Sequence, residues 1–160
     1  MTLFVIDIDN TISDWTERLQ RAGLEPSREP FEEYQKWLNR LQSAESVVCD
    51  PAVRGMSDLV WSLVNASELN KNTETRVIYL TARNENLRAA TEKWLQMKYF
   101  PKLDLFMRTE VDIRSNHEHK RSILKSFYVD NIIVIDDDPN GKMAEVCKAE
   151  GWVMLKALVP

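Results

Sequence analysis

The stretch that decides the fold is Leu3-Phe4-Val5-Ile6-Asp7-Ile8-Asp9-Asn10-Thr11. Four apolar residues of aromatic and branched type predict a short strand buried on both faces, and it ends in two carboxylates two positions apart. In an extended segment residues i and i+2 point the same way, so Asp7 and Asp9 are expected to converge while Ile8 turns back to the core. Facing carboxylates repel unless a cation or a shared proton relieves them, so the arrangement asks for a metal. A calcium loop also opens Asp-x-Asp, but it needs a Gly where this chain runs Thr11-Ile12, and a Glu where it has Arg18. An isolated Asp-x-Asp reads equally as a strand finishing in an acidic turn; the rest of the chain decides.

Working outward, 160 residues with 44% hydrophobic and 29% charged side chains suit one domain with a real core. No apolar run reaches membrane-span length, and the N-terminus lacks a signal peptide's basic start and small-residue cleavage site. The expectation is a soluble, cytoplasmic protein without a membrane partner. Cys49 and Cys147 are far apart and outside any metal-ligand spacing, so both are expected as free thiols. A net charge of −4 argues against an extended nucleic-acid groove, which needs a basic surface. The four glycines, Gly23, Gly55, Gly141 and Gly151, fit neither the GxxxxGK phosphate loop nor the GxGxxG dinucleotide fingerprint.

After Thr11 the pattern predicts a helix from Trp15 to about Ala22, capped by Ser13 or Asp14 and stopped by Gly23. A loop over Glu25 to Pro30 precedes a helix over Phe31 to Gln42, whose aromatic residues recur at helical spacing. Together, residues 13–49 are expected to form a small helical cap inserted after the first strand, its aromatic residues packing there or also covering a substrate as a lid. Asp50-Pro51 reads as the start of a helix to about Asn65. Strands are expected over Arg76 to Leu80, Leu103 to Met107 and Asn131 to Ile135, with an edge strand over Trp152 to Leu155. Helices fill the intervals over Asn84 to Tyr99, Asn116 to Phe127 and up to Glu150. Alternating strands and helices imply an α/β, Rossmann-like parallel sheet flanked by helices, with ligands at the carboxyl ends of the strands.

Three strands end in polar residues at that edge. Asp136 and Asp137, alone a solvated turn, pair with Asp7 and Asp9 to offer the hard oxygen ligands that Mg²⁺ prefers. Thr81 is expected where a strand gives way to a helix, with its hydroxyl and nearby N–H groups free to cap the helix, bind an anion, or both. Lys120 shares a helical face with Ile123, Leu124 and Phe127, from which it either snorkels to solvent or reaches the acidic edge.

DIDNT at Asp7 to Thr11, YLTAR at Tyr79 to Arg83, Lys120, and IDDDP at Ile135 to Pro139 resemble, in order, the four motifs of the haloacid dehalogenase superfamily of phosphohydrolases. Within it the chain is most similar to the 3′-phosphatase domain of bacteriophage polynucleotide kinase, through Arg88, Thr91, Lys93, Trp94, Asp112, Arg114 and Lys120. Asn10 stands where the family often has Gly, and Thr81-Ala82 where the phage domain has Ser-Gly; the resemblance covers the phosphatase domain and not the kinase half. The resemblance implies that Asp7 is a nucleophile forming an aspartyl phosphate and Asp9 a proton carrier. It implies Mg²⁺ held by Asp7, the Asp9 carbonyl, Asp136 and, through water, Asp137. Thr81, the Ala82 backbone and Lys120 would bind the phosphoryl oxygens, and Arg83, Arg88 and Arg114 would each either contact substrate or form a surface ion pair. The implied substrate is the 3′-phosphate of a nucleic-acid end or a nucleotide. A 5′-nucleotidase and a non-catalytic phospho-ligand binding protein are the competing readings.

Overall fold

The computed structural model describes residues 1–21, 43–69 and 74–158. The loop expected over Glu25 to Pro30, the helix expected over Phe31 to Gln42 and most of the expected cap lie outside the described residues.

In chain order the elements are β1 (Thr2–Ile6), α1 (Thr16–Arg21), α2 (Ala44–Val48), α3 (Met56–Leu69) and β2 (Thr75–Asn84). There follow a 3₁₀ turn (Glu85–Leu87), α4 (Arg88–Met97), β3 (Asp104–Arg108), α5 (Asn116–Leu124), β4 (Asn131–Asp136), α6 (Lys142–Glu150) and β5 (Val153–Lys156). The strands form one sheet in the order β3-β2-β1-β4-β5, every described pairing being parallel.

β1 is the centre, and its alternation explains the layers. Leu3 and Val5 pack with Leu124 of α5 and with Met143 and Cys147 of α6. Phe4 and Ile6 turn the other way, onto Val60 of α3 and Trp94 and Leu95 of α4. A run apolar at every position is what a strand covered on both faces requires. Ile8 is fully buried in the α3–α4 layer, as its alternation demands. Both cysteines are free.

Four boundaries differ from the sequence expectation, each for a physical reason. Asp50-Pro51 does not start a helix: Asp14 N–H donates to Pro51 O (2.9 Å) and Val53 N–H to Ile12 O (2.9 Å), so the segment runs extended beside the turn after β1. α3 begins only at Met56, after Gly55 at φ +80°, and a short α2 precedes. β2 does not end at Leu80; it continues to Asn84 with a register shift against β3. α5 stops at Leu124, short of Phe127.

α6 lies between two left-handed residues, Gly141 (φ +72°) and Gly151 (φ +74°), and Gly151 ends it where only a residue without Cβ is unstrained. Asp138 caps its N-terminus from outside, accepting from Met143 N–H (2.9 Å) and Ala144 N–H (3.0 Å). Asp138→Ala is therefore expected to cost about 1–2 kcal/mol. Urea denaturation should show a lower midpoint at unchanged slope.

Candidate active site

The chain runs outward from β1 to β2 and β3, then crosses back to β4 and β5, so the strand order reverses between β1 and β4. Ligands of such sheets bind outside the carboxyl ends of the strands at that switch point. Ile6 pairs with Ile135, and Asp7 N–H donates to Ile135 O (2.9 Å), so Asp7 and Asp136 leave the sheet at one level. After Ile8 the chain turns sharply. The N–H groups of Thr11, Ile12 and Ser13 converge on Ile8 O (3.2, 3.0 and 2.9 Å), and Asn10 takes the left-handed conformation (φ +56°) that Asn tolerates. The Thr11 hydroxyl ties the two strand ends, accepting from Asp137 N–H (3.0 Å) and donating to Asp7 Oδ2 (3.5 Å).

The turn separates the partners of the first two carboxylates. Asp7 stays with β4 and α5: Lys120 Nζ lies 2.8 Å from Asp7 Oδ1 and 2.6 Å from Asp136 Oδ2, so Lys120 reaches the acidic edge rather than solvent. Oxygens of Asp7, Asp136 and Asp137 lie within 4.8 Å of one another. Three carboxylates thus face one ammonium, and the donor set is hard oxygen, which fits a divalent cation such as Mg²⁺. Burial pushes the Asp7 carboxyl up to about 8; Lys120 opposes the shift and Asp136 adds to it. Burial, reinforced by Asp136, takes Asp137 up to about 6. Lys120 moves up too, because its two carboxylates outweigh burial.

Asp9 does not share that cluster through its carboxylate. It is clamped by two arginines buried behind it: Arg83 Nη2 donates to Oδ1 (2.7 Å), Arg83 Nε to Oδ2 (3.0 Å), and Arg18 Nη2 to Oδ1 (3.0 Å). Burial alone would raise its pKa, but the two guanidiniums reverse the sign and hold Asp9 well below the usual carboxylate range. Arg18 in turn lies on Asp50, which is fully buried, with Nε donating to Asp50 Oδ1 (3.0 Å) and Nη2 in close contact with Oδ2. The result is two adjoining charge groups, an acidic one around Lys120 and a balanced one of two carboxylates and two guanidiniums.

Asp7, Asp9, Thr81, Lys120, Asp136 and Asp137 line one cavity of about 320 Å³, with Ala82 beside Thr81 and with Trp15 and His117 also on its wall. Thr81 reaches it from the continuing strand β2, not from a helix N-terminus, and its hydroxyl accepts from Arg83 N–H (3.2 Å). Arg83 serves Asp9 from behind. The other two candidate arginines do not line the cavity. Arg88 pairs with Glu85 (2.6 Å) and Glu92 (3.4 Å), and Arg114 pairs with Asp112 (2.7 Å).

Sequence reasoning missed Arg18, Asp50 and the part played by Thr11. Thr11 had a signal, its place within the DIDNT stretch. Arg18 and Asp50 had almost none, since a charge in a short helix and an Asp-Pro step both suggest surface positions.

No family model matches the chain, and no curated protein sequence does. Solved structures match in fold. A chain of the Pnkp1/Rnl/Hen1 RNA repair complex aligns with a TM-score of 0.61 at 17% identity, over 97% of this chain and 42% of that one. This chain therefore spans less than half of that relative's length. A haloacid dehalogenase-like hydrolase from Streptococcus pneumoniae gives 0.66 at 13% identity, covering 98% and 84% of the two chains. A class C acid phosphatase from Bacillus anthracis, solved with tungstate bound, gives 0.55 at 14% identity over 99% and 68%. At these identities the likeness is one of fold: a haloacid dehalogenase-type α/β sheet.

The acidic group makes a prediction independent of activity. Lys120→Met leaves Asp7 and Asp136 without their cation, and in chelator-treated protein at pH 8 it should cost about 3 kcal/mol. The loss should shrink at pH 6. Burial takes Asp7 up to about 8 even with the lysine present, so at pH 6 the wild type also carries a proton on Asp7 and less of the ion pair is there to lose. Equal losses in urea denaturation at the two pH values would contradict this account of the site.

Proposed function

We propose that the chain is a Mg²⁺-dependent phosphomonoesterase that works through an aspartyl phosphate on Asp7 and takes the 3′-phosphate of a nucleic-acid end or nucleotide. One observation carries the reading: a carboxylate paired to lysine beside two further carboxylates, and a second carboxylate clamped by arginines, open into the same cavity at the sheet's switch point. That is two carboxylates in two environments, one set for attack and one for proton transfer.

In the first half of the reaction an Asp7 oxygen attacks phosphorus, the P–O bond to the leaving group breaks, and Asp9 gives that oxygen its proton. In the second half water attacks the phosphorus of the aspartyl phosphate, its proton passes to Asp9, and inorganic phosphate leaves with Asp7 restored. Asp9 in the free site is anionic, which suits it to the second half. An arriving phosphate dianion raises its proton affinity, as any nearby like charge does, so Asp9 takes up a proton from solvent as substrate binds and returns it after phosphate leaves, which suits it to the first. Lys120 orients Asp7 through Oδ1, and it shares the cavity with Thr81 and Ala82, which stand ready for the phosphoryl oxygens. Asp7, Asp136 and Asp137 would hold Mg²⁺, which supplies charge neutralisation at the transferring group.

The 3′-end is favoured by the residues shared with the polynucleotide phosphatase domain and by the fold match to a chain of an RNA repair complex. The cavity, about 320 Å³, is of a size to take a single terminal nucleotide. Cytoplasmic location belongs to the same proposal; among the described residues no helix is long and apolar enough to cross a membrane.

Two outcomes are expected. With Mg²⁺ the protein should release phosphate from 3′-phosphorylated oligonucleotides faster than from 5′-phosphorylated ones or free 5′-nucleotides; silence across the whole panel would end the enzyme reading. Asp7→Asn should abolish release, and turnover surviving that change would remove Asp7 as nucleophile. Separately, Mg²⁺ affinity measured by calorimetry should weaken by on the order of tenfold or more from pH 8 to pH 6. Protons must leave Asp7 (about 8) and Asp137 (about 6) before the ion binds, so affinity falls as pH drops through these values.

A further inference from the structure

Arg18 divides its guanidinium unevenly between two carboxylates. Nε and Nη2 grip Asp50 with both arms, whereas only Nη2 reaches Asp9, at Oδ1 (3.0 Å). The two oxygens of Asp9 consequently differ. Oδ1 takes Arg18 Nη2 (3.0 Å), Arg83 Nη2 (2.7 Å) and a share of Arg83 Nε (3.2 Å). Among the described residues Oδ2 takes only the other share of Arg83 Nε (3.0 Å). A carboxylate carries its proton on an oxygen with a free lone pair, and on Asp9 that oxygen is Oδ2.

A guanidinium set against a carboxylate prefers two parallel bonds to one. Arg18 satisfies that preference on Asp50, which is fully buried and further fixed by Ser13 Oγ (3.2 Å) and by Arg83 Nη2 (3.7 Å). Arg18 Nη1 is buried without a hydrogen-bond partner among the described residues, so it supplies no bond that would hold the guanidinium in place. Without Asp50, the two buried guanidiniums would have Asp9 as their one carboxylate among the described residues.

We propose that Asp50 is a positioning residue: it occupies both arms of Arg18 and so keeps Asp9 Oδ2 open to carry the proton of the reaction. This rests on the phosphatase reading above. Asp50, just after α2, is thus tied through Arg18 to the proton carrier without itself lining the cavity.

The test separates leaving groups. A p-nitrophenolate departs without a proton, whereas the alkoxide of a nucleoside 3′-monophosphate needs one. In Asp50→Asn, which keeps the shape but loses the charge, kcat/KM for the nucleotide should fall by on the order of a hundredfold, the scale of general acid catalysis. For p-nitrophenyl phosphate it should fall less than about threefold on the same reasoning. A parallel fall on both esters would mean that Asp50 is only structural, and the proposal would be lost. Arg18→Lys has no fork to misplace, so both esters should slow together; a steepened ratio between them overturns the proposal even if Asp50→Asn does not fold. Combining the two changes should bring the ratio back toward wild type, and a ratio that stays steep counts against it. A crystal structure of Asp50→Asn decides without turnover: both arms of Arg18 on Asp9 support the proposal, and a retained single arm refutes it. If wild type hydrolyses neither ester, the phosphatase reading has failed, and this structure still judges the placement of Arg18.

Discussion

The contact on which the site depends is Lys120 between Asp7 and Asp136 (2.8 and 2.6 Å). A parallel sheet covered on both faces brings its strand ends into a region poor in water, where Asp7 follows β1 and Asp136 ends β4. Ion pairs in such places gain little net stability, because desolvation offsets most of the attraction. What they do is fix geometry. Lys120 holds one oxygen of each strand-end carboxylate, Thr11 links Asp7 to the Asp137 backbone, and the acidic side that remains is matched to a cation.

The second charge group obeys the same constraint with a different solution. Asp9 lies two residues from Asp7 yet looks to Arg83 and Arg18, because the chain leaves the extended conformation at Ile8 and turns on its carbonyl. The sharp turn makes chemical division possible. Neighbouring aspartates that shared one cation would titrate as a pair; here one moves up and the other down in proton affinity, through separate partners.

Much of this was legible in the residues. The apolar alternation of β1, the acidic ends of β1 and β4, and the helical spacing that put Lys120 on the face of Leu124 all depend on local periodicity, which sequence carries well. Asp50 was hidden for the opposite reason. Asp-Pro has the signature of a helix start, and the actual role of Asp50 comes from Arg18, 32 positions away. Thr81 was placed on the right edge but in the wrong local setting, since the register shift that prolongs β2 is a property of its pairing with β3. Arg88 was the more readable case. Glu85 and Glu92 stand at i−3 and i+4 from it, a spacing that favours a helix-surface pair over a ligand.

The arginine pair also explains why so acidic an edge tolerates two buried guanidiniums. Arg83 is fully buried, with Nη1 on Thr91 Oγ1 (3.3 Å), Nη2 on Ser13 Oγ (3.3 Å), and its plane near Trp94. Trp94 closes the loop by donating Nε1–H to Asp50 O (2.8 Å). The buried face of α4, the turn after β1 and the segment after α2 thereby meet on two side chains. Because a buried charge stripped of one partner is far more costly than the intact pair, these residues are constrained as a set. Asp9 is the member of that set on the cavity wall, so the charge it presents there is set by groups that do not line the cavity.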